Sequence, residues 1–355
     1  MNRTRVLIID DSALMRQLLT QILSSDPELE VVGSAPDPVA ARDKIRALRP
    51  DVLTLDVEMP KQDGVTFLAH LMSTTPMPVV MVSSLTERGC EVTLRALELG
   101  AFDFVTKPKI DLSRGTATVA TEIVNKVKAA AKSRPRARRA PAAPIAPVSG
   151  VNAGGVRLRT TQRIVVIGSS TGGTEALREV LTRLPPDAPP IVVVQHMPPV
   201  FTRQFAERLD GLCKVRVKEA KSGDALVTGH VLIAPGGESH LEIVRSGANY
   251  GVVLIPGPPV GHHRPSVDVM FESCAKNVGQ NATGLILTGM GHDGAKGLLA
   301  MRRAGAHTAA EDESTCVVFG MPKEAIACGA AEFVLPLEKM AAAVMGNFNE
   351  ARHCA

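Results

Sequence analysis

The sequence predicts an α/β protein of two doubly wound, mainly parallel units, and three observations predict it. Short β-branched apolar runs alternate with amphipathic helical patterns before residue 125 and again after residue 163. Chemistry-bearing side chains sit just past those runs, where open parallel sheets bind ligands. Between the two alternations lies SRPRARRAPAAPIAPVSGVNAGG, at 133–155, where apolar periodicity vanishes. At 355 residues the chain is long enough for about two domains.

In the first unit, residues 1–125, strands are expected at 5–9, 30–35, 52–55, 79–82 and 102–105. Helices are expected at 13–23, 38–48, 65–72, 91–99 and 116–131. Five strands with five helices give a flavodoxin-like parallel sheet. Asp10 and Asp11 follow the first run, Asp56 and Ser83 end the third and fourth, and Lys107 follows the fifth. A lone Asp in such a place is commonly a helix cap, but here polar residues recur at strand after strand. Three converging carboxylates repel one another unless a hard divalent cation with oxygen ligands, most simply Mg²⁺, sits among them. Such an ion also neutralises a phosphoryl group arriving on Asp56, whose oxygens Ser83 and Lys107 can bond.

IIDDSALMRQLL, LTLDVEMPKQDG, VVMVSS and FVTKP resemble the receiver domain of two-component response regulators over about residues 4–125. The resemblance implies that Asp56 is the phosphoacceptor and that Asp10 and Asp11 hold Mg²⁺ with it. It makes Ser83 and Lys107 the switch and phosphate-binding residues and a histidine kinase the phosphodonor. Phe104 falls at the family's aromatic switch position, although plain core packing explains it equally well.

Residues 126–162 hold a helix end and a Pro/Ala/Arg tether, expected to be a flexible linker. Its Arg134, Arg136, Arg138 and Arg139 read as a solvated charge run.

In the second unit, residues 163–350, the run 164–167 meets Gly168-Ser-Ser-Thr-Gly-Gly173. A helical pattern follows at Ala176, Leu177, Val180, Leu181 and Leu184. The backbone turns sharply from strand to helix with Ser170 at the corner, beside the N–H groups of a new helix N-terminus. The segment fits the G-x-S-x-G nucleophile elbow, though small residues in such a turn also serve close packing or phosphate binding. Further strands are expected at 191–195, 215–217, 230–234, 251–255, 284–287, 307–311 and 333–335. Helices are expected at 175–184, 200–209, 267–278, 295–304 and 323–328, giving a larger Rossmann-like unit. His196 stands one residue past a strand, and Asp293 lies in a Gly-rich loop after another. Singly, the first reads as a capping or core histidine and the second as a loop Asx residue. Jointly, with Ser170, they make a nucleophile, its base and the carboxylate that orients the base. Backbone N–H groups near Thr171 and Met290 are the candidate oxyanion hole. The chain order Ser, His, Asp differs from that of α/β-hydrolases.

IGSSTGG, VQHMPPVFT, IAPGG, GHHRPSVDVMF and TGMGHDGAKG resemble the catalytic domain of the chemotaxis protein-glutamate methylesterases, which are also glutamine deamidases, over about residues 163–345. The resemblance implies Ser170 as nucleophile, His196 as base and Asp293 as orienting acid, with no cofactor for the ester step. The substrates it implies are methylated glutamates on the cytoplasmic domains of methyl-accepting chemoreceptors. Hydrolysis releases methanol, and deamidation of selected receptor glutamines releases ammonia. With a receiver in front, a chemotaxis histidine kinase is the expected phosphodonor. The unphosphorylated receiver is expected to pack against the catalytic cleft and limit access.

His262, His263 and Arg264 are expected to line a substrate groove. Together with His196 and His292 the first two raise a metal-hydrolase alternative, but no H-E-x-x-H or other ligand spacing supports it. A phosphate-binding adaptor is the other rival; it lacks a P-loop Lys and leaves His196 and Asp293 unexplained. A net charge of only +4, one Tyr, no Trp and the lack of any helix-turn-helix pattern argue against nucleic acid as partner. Six Cys without a C-x-x-C pair fit a reducing cytoplasm. The run 6–9 meets Asp10-Asp11 at once, so it is no signal peptide. No apolar run is long enough for membrane insertion.

Overall fold

The computed structural model describes residues 3–59, 63–108, 116–133, 163–247 and 249–348. The Pro/Ala/Arg tether therefore lies almost wholly outside the described residues.

The first half supplies β1 (Thr4–Ile9), α1 (Ala13–Ser24), β2 (Leu29–Ala35), α2 (Pro38–Leu48), β3 (Val52–Asp56), α3 (Gly64–Thr74), β4 (Val79–Ser83), α4 (Glu87–Glu98), β5 (Asp103–Thr106) and α5 (Thr116–Lys132). The helices start where short polar side chains can satisfy their free N–H groups. Ser12, Asp37, Asp63 and Thr86 accept from the N–H of Met15, Ala40, Thr66 and Gly89. The strands form one parallel sheet in the order β2-β1-β3-β4-β5. Strand β3 is buried throughout, as a central parallel strand covered on both faces must be. This order reverses direction between β1 and β3, so the crevice beyond them is the natural ligand site.

The second half supplies β6 (Ile164–Ser169), α6 (Gly173–Leu181), β7 (Ile191–Gln195), α7 (Phe201–Leu212), β8 (Arg216–Glu219), β9 (His230–Ile233), β10 (Ser239–Ser246), β11 (Asn249–Pro256), α8 (Val267–Asn277), β12 (Ala282–Ile286), α9 (Ala295–Arg303), β13 (His307–Glu311), α10 (Met321–Ala327), β14 (Phe333–Leu335) and α11 (Leu337–Val344). Seven strands make a parallel sheet in the order β14-β13-β12-β6-β7-β9-β8. The expected strand at 251–255 exists, but it does not join this sheet. It belongs to an antiparallel ribbon with β10, which the apolar runs do not reveal. The ribbon buries one face: Leu241, Ile243, Tyr250 and Val252 pack with Met270, Phe271 and Cys274 of α8. The sequence reading also lacks α11, whose Met340, Ala343 and Val344 are buried.

The apolar cores of the two halves meet where α4 lies against α6 and α7. Phe104 at the end of the first sheet stacks on Phe201 at the start of α7, ring centroids 4.3 Å apart and planes 17° apart. Such a pair adds about 1 kcal/mol beyond the area it buries.

Candidate active site and phosphorylation site

Strand β6 is the first strand of the seven-stranded sheet. Its successor β7 lies on one side and β12 on the other, so the strand order reverses at β6. The crevice beyond its carboxyl end is where such a sheet binds ligands. Ser170 follows β6, His196 follows β7, and Asp293 lies in the loop from β12 to α9. Three adjacent strands thus deliver the three residues to one place. Ser169 pairs with Gln195, and the His196 N–H donates to Ser169 O at 3.1 Å.

The elbow is fixed by its backbone. The Ser170 N–H donates to Thr288 O at 3.0 Å, and the Gly173 N–H donates back to Ser170 O at 2.7 Å. Gly172 has φ +78°, and a Cβ there would stand 2.5 Å from Val317 Cβ, so both torsion and space demand glycine. The Gln195 amide locks the turn, accepting from Ser169 Oγ at 2.6 Å and donating to Ser170 O at 2.9 Å. This separates the two neighbouring serines: the Ser169 hydroxyl is buried and engaged, while Ser170 is only partly covered.

Asp293 sits at the N-terminus of α8. Its Oδ1 accepts from Ser266 Oγ at 2.8 Å and the Asp268 N–H at 3.0 Å; its Oδ2 accepts from the Val267 N–H at 2.8 Å and bonds His196 Nε2 at 2.8 Å. Burial alone would raise its pKa. The hydrogen bond and charge of His196, then the two N–H groups, outweigh burial and bring it down to about 2. Asp293 is therefore a carboxylate that can only accept, so Nε2 of His196 carries the proton. Its Nδ1 is buried with no hydrogen-bond partner among the described residues.

Of the oxyanion candidates, neither the Thr171 nor the Met290 N–H has a partner among the described residues. The Met290 loop lies against the elbow, since a Cβ on Gly289 would be 2.8 Å from Ser170 Cβ. Thr288 ties the two loops together, donating its hydroxyl to Thr171 O and accepting from the N–H groups of Val317 and Val318.

In the first sheet, carboxylate oxygens of Asp10, Asp11 and Asp56 lie within 4.8 Å of one another. Lys107 Nζ is 2.8 Å from Asp56 Oδ2 and 4.0 Å from Asp10 Oδ2. Burial, then the Asp56 charge, pushes Asp10 up to about 6, and burial raises Asp56. Asp10 Oδ2 is buried without a hydrogen-bond partner, as an oxygen kept for a cation would be. The residues present fit a hard divalent ion. Ser83 points elsewhere: its hydroxyl faces Gly89 O and accepts from Thr93 Oγ1 at 2.7 Å.

Residues 165–344 match the family model described as CheB methylesterase, and residues 6–119 match that of the response regulator receiver domain. The chain belongs to the CheB methylesterase family. A relative from Bordetella parapertussis, named protein-glutamate methylesterase/protein-glutamine glutaminase, is 55% identical over 357 residues, covering 99% of each chain. One of the same name, numbered 3, from Burkholderia lata is 56% identical, covering 97% of this chain and 95% of its own. The CheB methylesterase catalytic domain of Thermotoga maritima is 42% identical, with a TM-score of 0.51; the match covers 52% of this chain and 98% of that one.

In this CheB-family chain the receiver reaches the turn that carries Ser170 directly. Thr171 Oγ1 donates to Asp103 Oδ2 at 2.7 Å. Asp103 is paired with Lys126 Nζ at 3.3 Å, and the same ammonium donates to Phe104 O at 2.7 Å. Arg208 of α7 grips Glu98 of α4 bidentately, Nε to Oε1 at 2.6 Å, and Arg203 pairs with Glu87. Phe104 is thus an interdomain contact, which neither its family position nor core packing specifies.

The sequence does not disclose the Asp293 cradle, because the Ser266 hydroxyl and the Val267 N–H lie 27 and 26 residues from the carboxylate they serve. His240 is missed too: its Nε2 bonds Pro258 O, so Nδ1 accepts from the Ser266 N–H and steadies that loop. Arg264 does not project freely into a groove but donates to Gly237 O and Gly257 O, both at 2.6 Å. His262 and His292 are exposed. Among the described residues, no set of three ligating groups converges except the receiver aspartates.

Proposed function

We propose that residues 163–350 hydrolyse γ-methyl-glutamate esters on chemoreceptor cytoplasmic domains through Ser170, His196 and Asp293, under control of a receiver at 1–125 joined by 126–162. The observation that carries this is the His196–Asp293 pair at the α8 N-terminus, which leaves His196 Nδ1 without a hydrogen-bond partner among the described residues, at the strand end next to Ser170.

His196 Nδ1 takes the Ser170 proton as Oγ adds to the ester carbonyl carbon. The resulting oxyanion is held by the Thr171 and Met290 N–H groups. The imidazolium, stabilised by Asp293, protonates the departing methoxide, which leaves as methanol. Water then adds to the acyl-serine, giving a proton to His196, which returns it to Ser170 Oγ as the Oγ–acyl bond breaks and the glutamate carboxylate is freed. A glutamine side chain passes through the same acyl-enzyme and loses ammonia. The chain is a protein-glutamate methylesterase and glutaminase of the response-regulator type. No helix among the described residues is long and apolar enough to cross a membrane; a cytoplasmic site of action agrees with that and with the free cysteines.

Mg²⁺ in the receiver would be held by Asp10, Asp11 and Asp56, where it neutralises charge on a phosphoryl group delivered by a chemotaxis histidine kinase. Lys107 and Ser83 then meet the phosphoryl oxygens, which requires Ser83 to leave Gly89 O. Chelating divalent ions, or the Asp10→Asn variant, abolishes ³²P incorporation at Asp56 while esterase activity of the unphosphorylated chain stays at its basal level.

The receiver restrains the esterase through the Asp103–Thr171 bond, the Phe104–Phe201 stack and the Arg208–Glu98 pair. The Arg208→Glu variant sets two carboxylates together at this interface. It raises basal methanol release from methylated receptor membranes at least about 5-fold and shrinks the further gain on phosphorylation. Unchanged basal release would remove the restraint from this reading. Absence of any methanol release from phosphorylated wild-type protein would remove the esterase itself.

A further inference from the structure

We propose that His263 is a positioning residue for the hydrolysis, a stacking plate that fixes the His196 ring and accommodates its positive charge during turnover. The inference rests on the Ser170–His196–Asp293 reading above.

The two imidazoles lie face to face, centroids 3.7 Å apart and planes 5° apart. One hydrogen bond to Asp293 leaves His196 free to pivot about the Nε2···Oδ2 axis. A flat neighbour in van der Waals contact removes that freedom and aims Nδ1. The plate is itself fixed. His263 exchanges backbone hydrogen bonds with Val260, both at 3.0 Å, and the next residue, Arg264, is clamped to Gly237 and Gly257.

The plate must be uncharged to do this. When His196 becomes an imidazolium, a neutral ring offers its π face to the cation, whereas a second cation at this separation would oppose protonation. His263 meets that condition: burial first, then the His196 charge, hold it down to about 3, with His262 and Lys126 acting the same way and Asp293 acting against them. His263 therefore neither donates nor takes a proton near neutrality. It acts through its face.

The test uses the full-length chain with Asp56 phosphorylated, assayed for methanol release across pH. His263→Ala lowers kcat about 10- to 100-fold with KM within about 3-fold. His263→Phe, a flat neutral ring, recovers kcat to within about 3-fold of wild type with the wild-type acid limb. His263→Lys lowers kcat and moves the acid limb of kcat/KM down by about one pH unit or more, because an ammonium beside His196 disfavours its protonation. Equal kcat in the Ala variant and wild type, no recovery in a normally melting Phe variant, or an unmoved limb in a folded Lys variant each overturns the proposal. The Phe–Lys comparison stands even where the Ala variant does not fold. A serine-directed phosphonate separates this outcome from the failure of its premise: Ser170 labelled in wild type keeps the triad, whatever His263 does.

Discussion

The Ser170→Ala variant loses esterase turnover by about 10⁴- to 10⁶-fold while its stability stays within about 0.5 kcal/mol of wild type. The structural ties at this position are made by the main chain: the N–H to Thr288, and the carbonyl that accepts from Gly173 and Gln195. Alanine keeps all of them and keeps the Cβ that packs beside Gly289. Only the hydroxyl goes, and with it the atom that forms the acyl-enzyme. What activity remains comes from the oxyanion donors polarising the ester toward water. The adjacent Ser169 gives the contrasting result. Its hydroxyl is fully buried and spends its proton on Gln195, so Ser169→Ala leaves the Gln195 Oε1 unsatisfied and costs about 1–3 kcal/mol of stability with far milder loss of turnover. Methanol release, thermal unfolding and ³²P uptake at Asp56 distinguish the two. A Ser170→Ala protein that still turns over, or a Ser169→Ala protein that is stable and dead, reverses the assignment.

The strand ends that hold the candidate residues are legible because the physics that makes them is local. A strand buried on both faces reads as a short, near-continuous apolar run, a parallel sheet directs its carboxyl ends to one rim, and a glycine-rich turn betrays the elbow. Ser170, His196, Asp293, Asp56 and Lys107 could all be located on that basis. Residues 251–255 satisfy the same local rule yet pair in the antiparallel ribbon, outside the parallel sheet. A five-residue apolar run does not reveal whether its partner is antiparallel, and the partner, SHLEIVRS, breaks its apolar pattern with Glu242 and Arg245. His196 is the largest cause that holds the Asp293 carboxyl down, and the two N–H groups that add to it, those of Val267 and Asp268, are out of the sequence's reach because another helix brings them up. The same holds for Phe104 and Asp103. Phe104 and Asp103 fall within the receiver by sequence, and only tertiary contact shows that they touch the other half, with Lys126 holding Asp103 from the same side. His263 is the sharpest instance: a pair of adjacent histidines has no periodicity, so its stacking partner cannot be inferred from spacing.

The Asp293→Asn variant shows how closely the acid ties chemistry to stability. The carboxylate accepts from four donors: Ser266 Oγ, the Val267 and Asp268 N–H groups and His196 Nε2. An amide has only one acceptor oxygen and brings an NH₂ of its own. With that NH₂ on the His196 side, it opposes the Val267 N–H and donates to Nε2, so the ring proton moves to Nδ1 and His196 no longer accepts from Ser170. With the NH₂ turned the other way, it meets the Asp268 N–H, and the charge that steadies the imidazolium is gone either way. We expect kcat to fall by about 10⁴-fold and stability to fall by about 1–3 kcal/mol from the unsatisfied donor. The pH dependence has a fixed sign. The folded pKa of about 2 lies below the ordinary 3.8, so this carboxylate's contribution, on the order of 2 kcal/mol, is complete above about pH 4 and is lost as pH falls toward 2. Wild-type protein therefore loses stability across that window more steeply than the Asn variant, which has no proton to gain there. Nitrogen NMR of His196 reads the tautomer, acid titration of the melting temperature reads the linkage, and methanol release reads the rate. A variant with kcat within about 10-fold of wild type and an unchanged acid limb would mean that the α8 N-terminus holds a loop in place and orients no catalytic base.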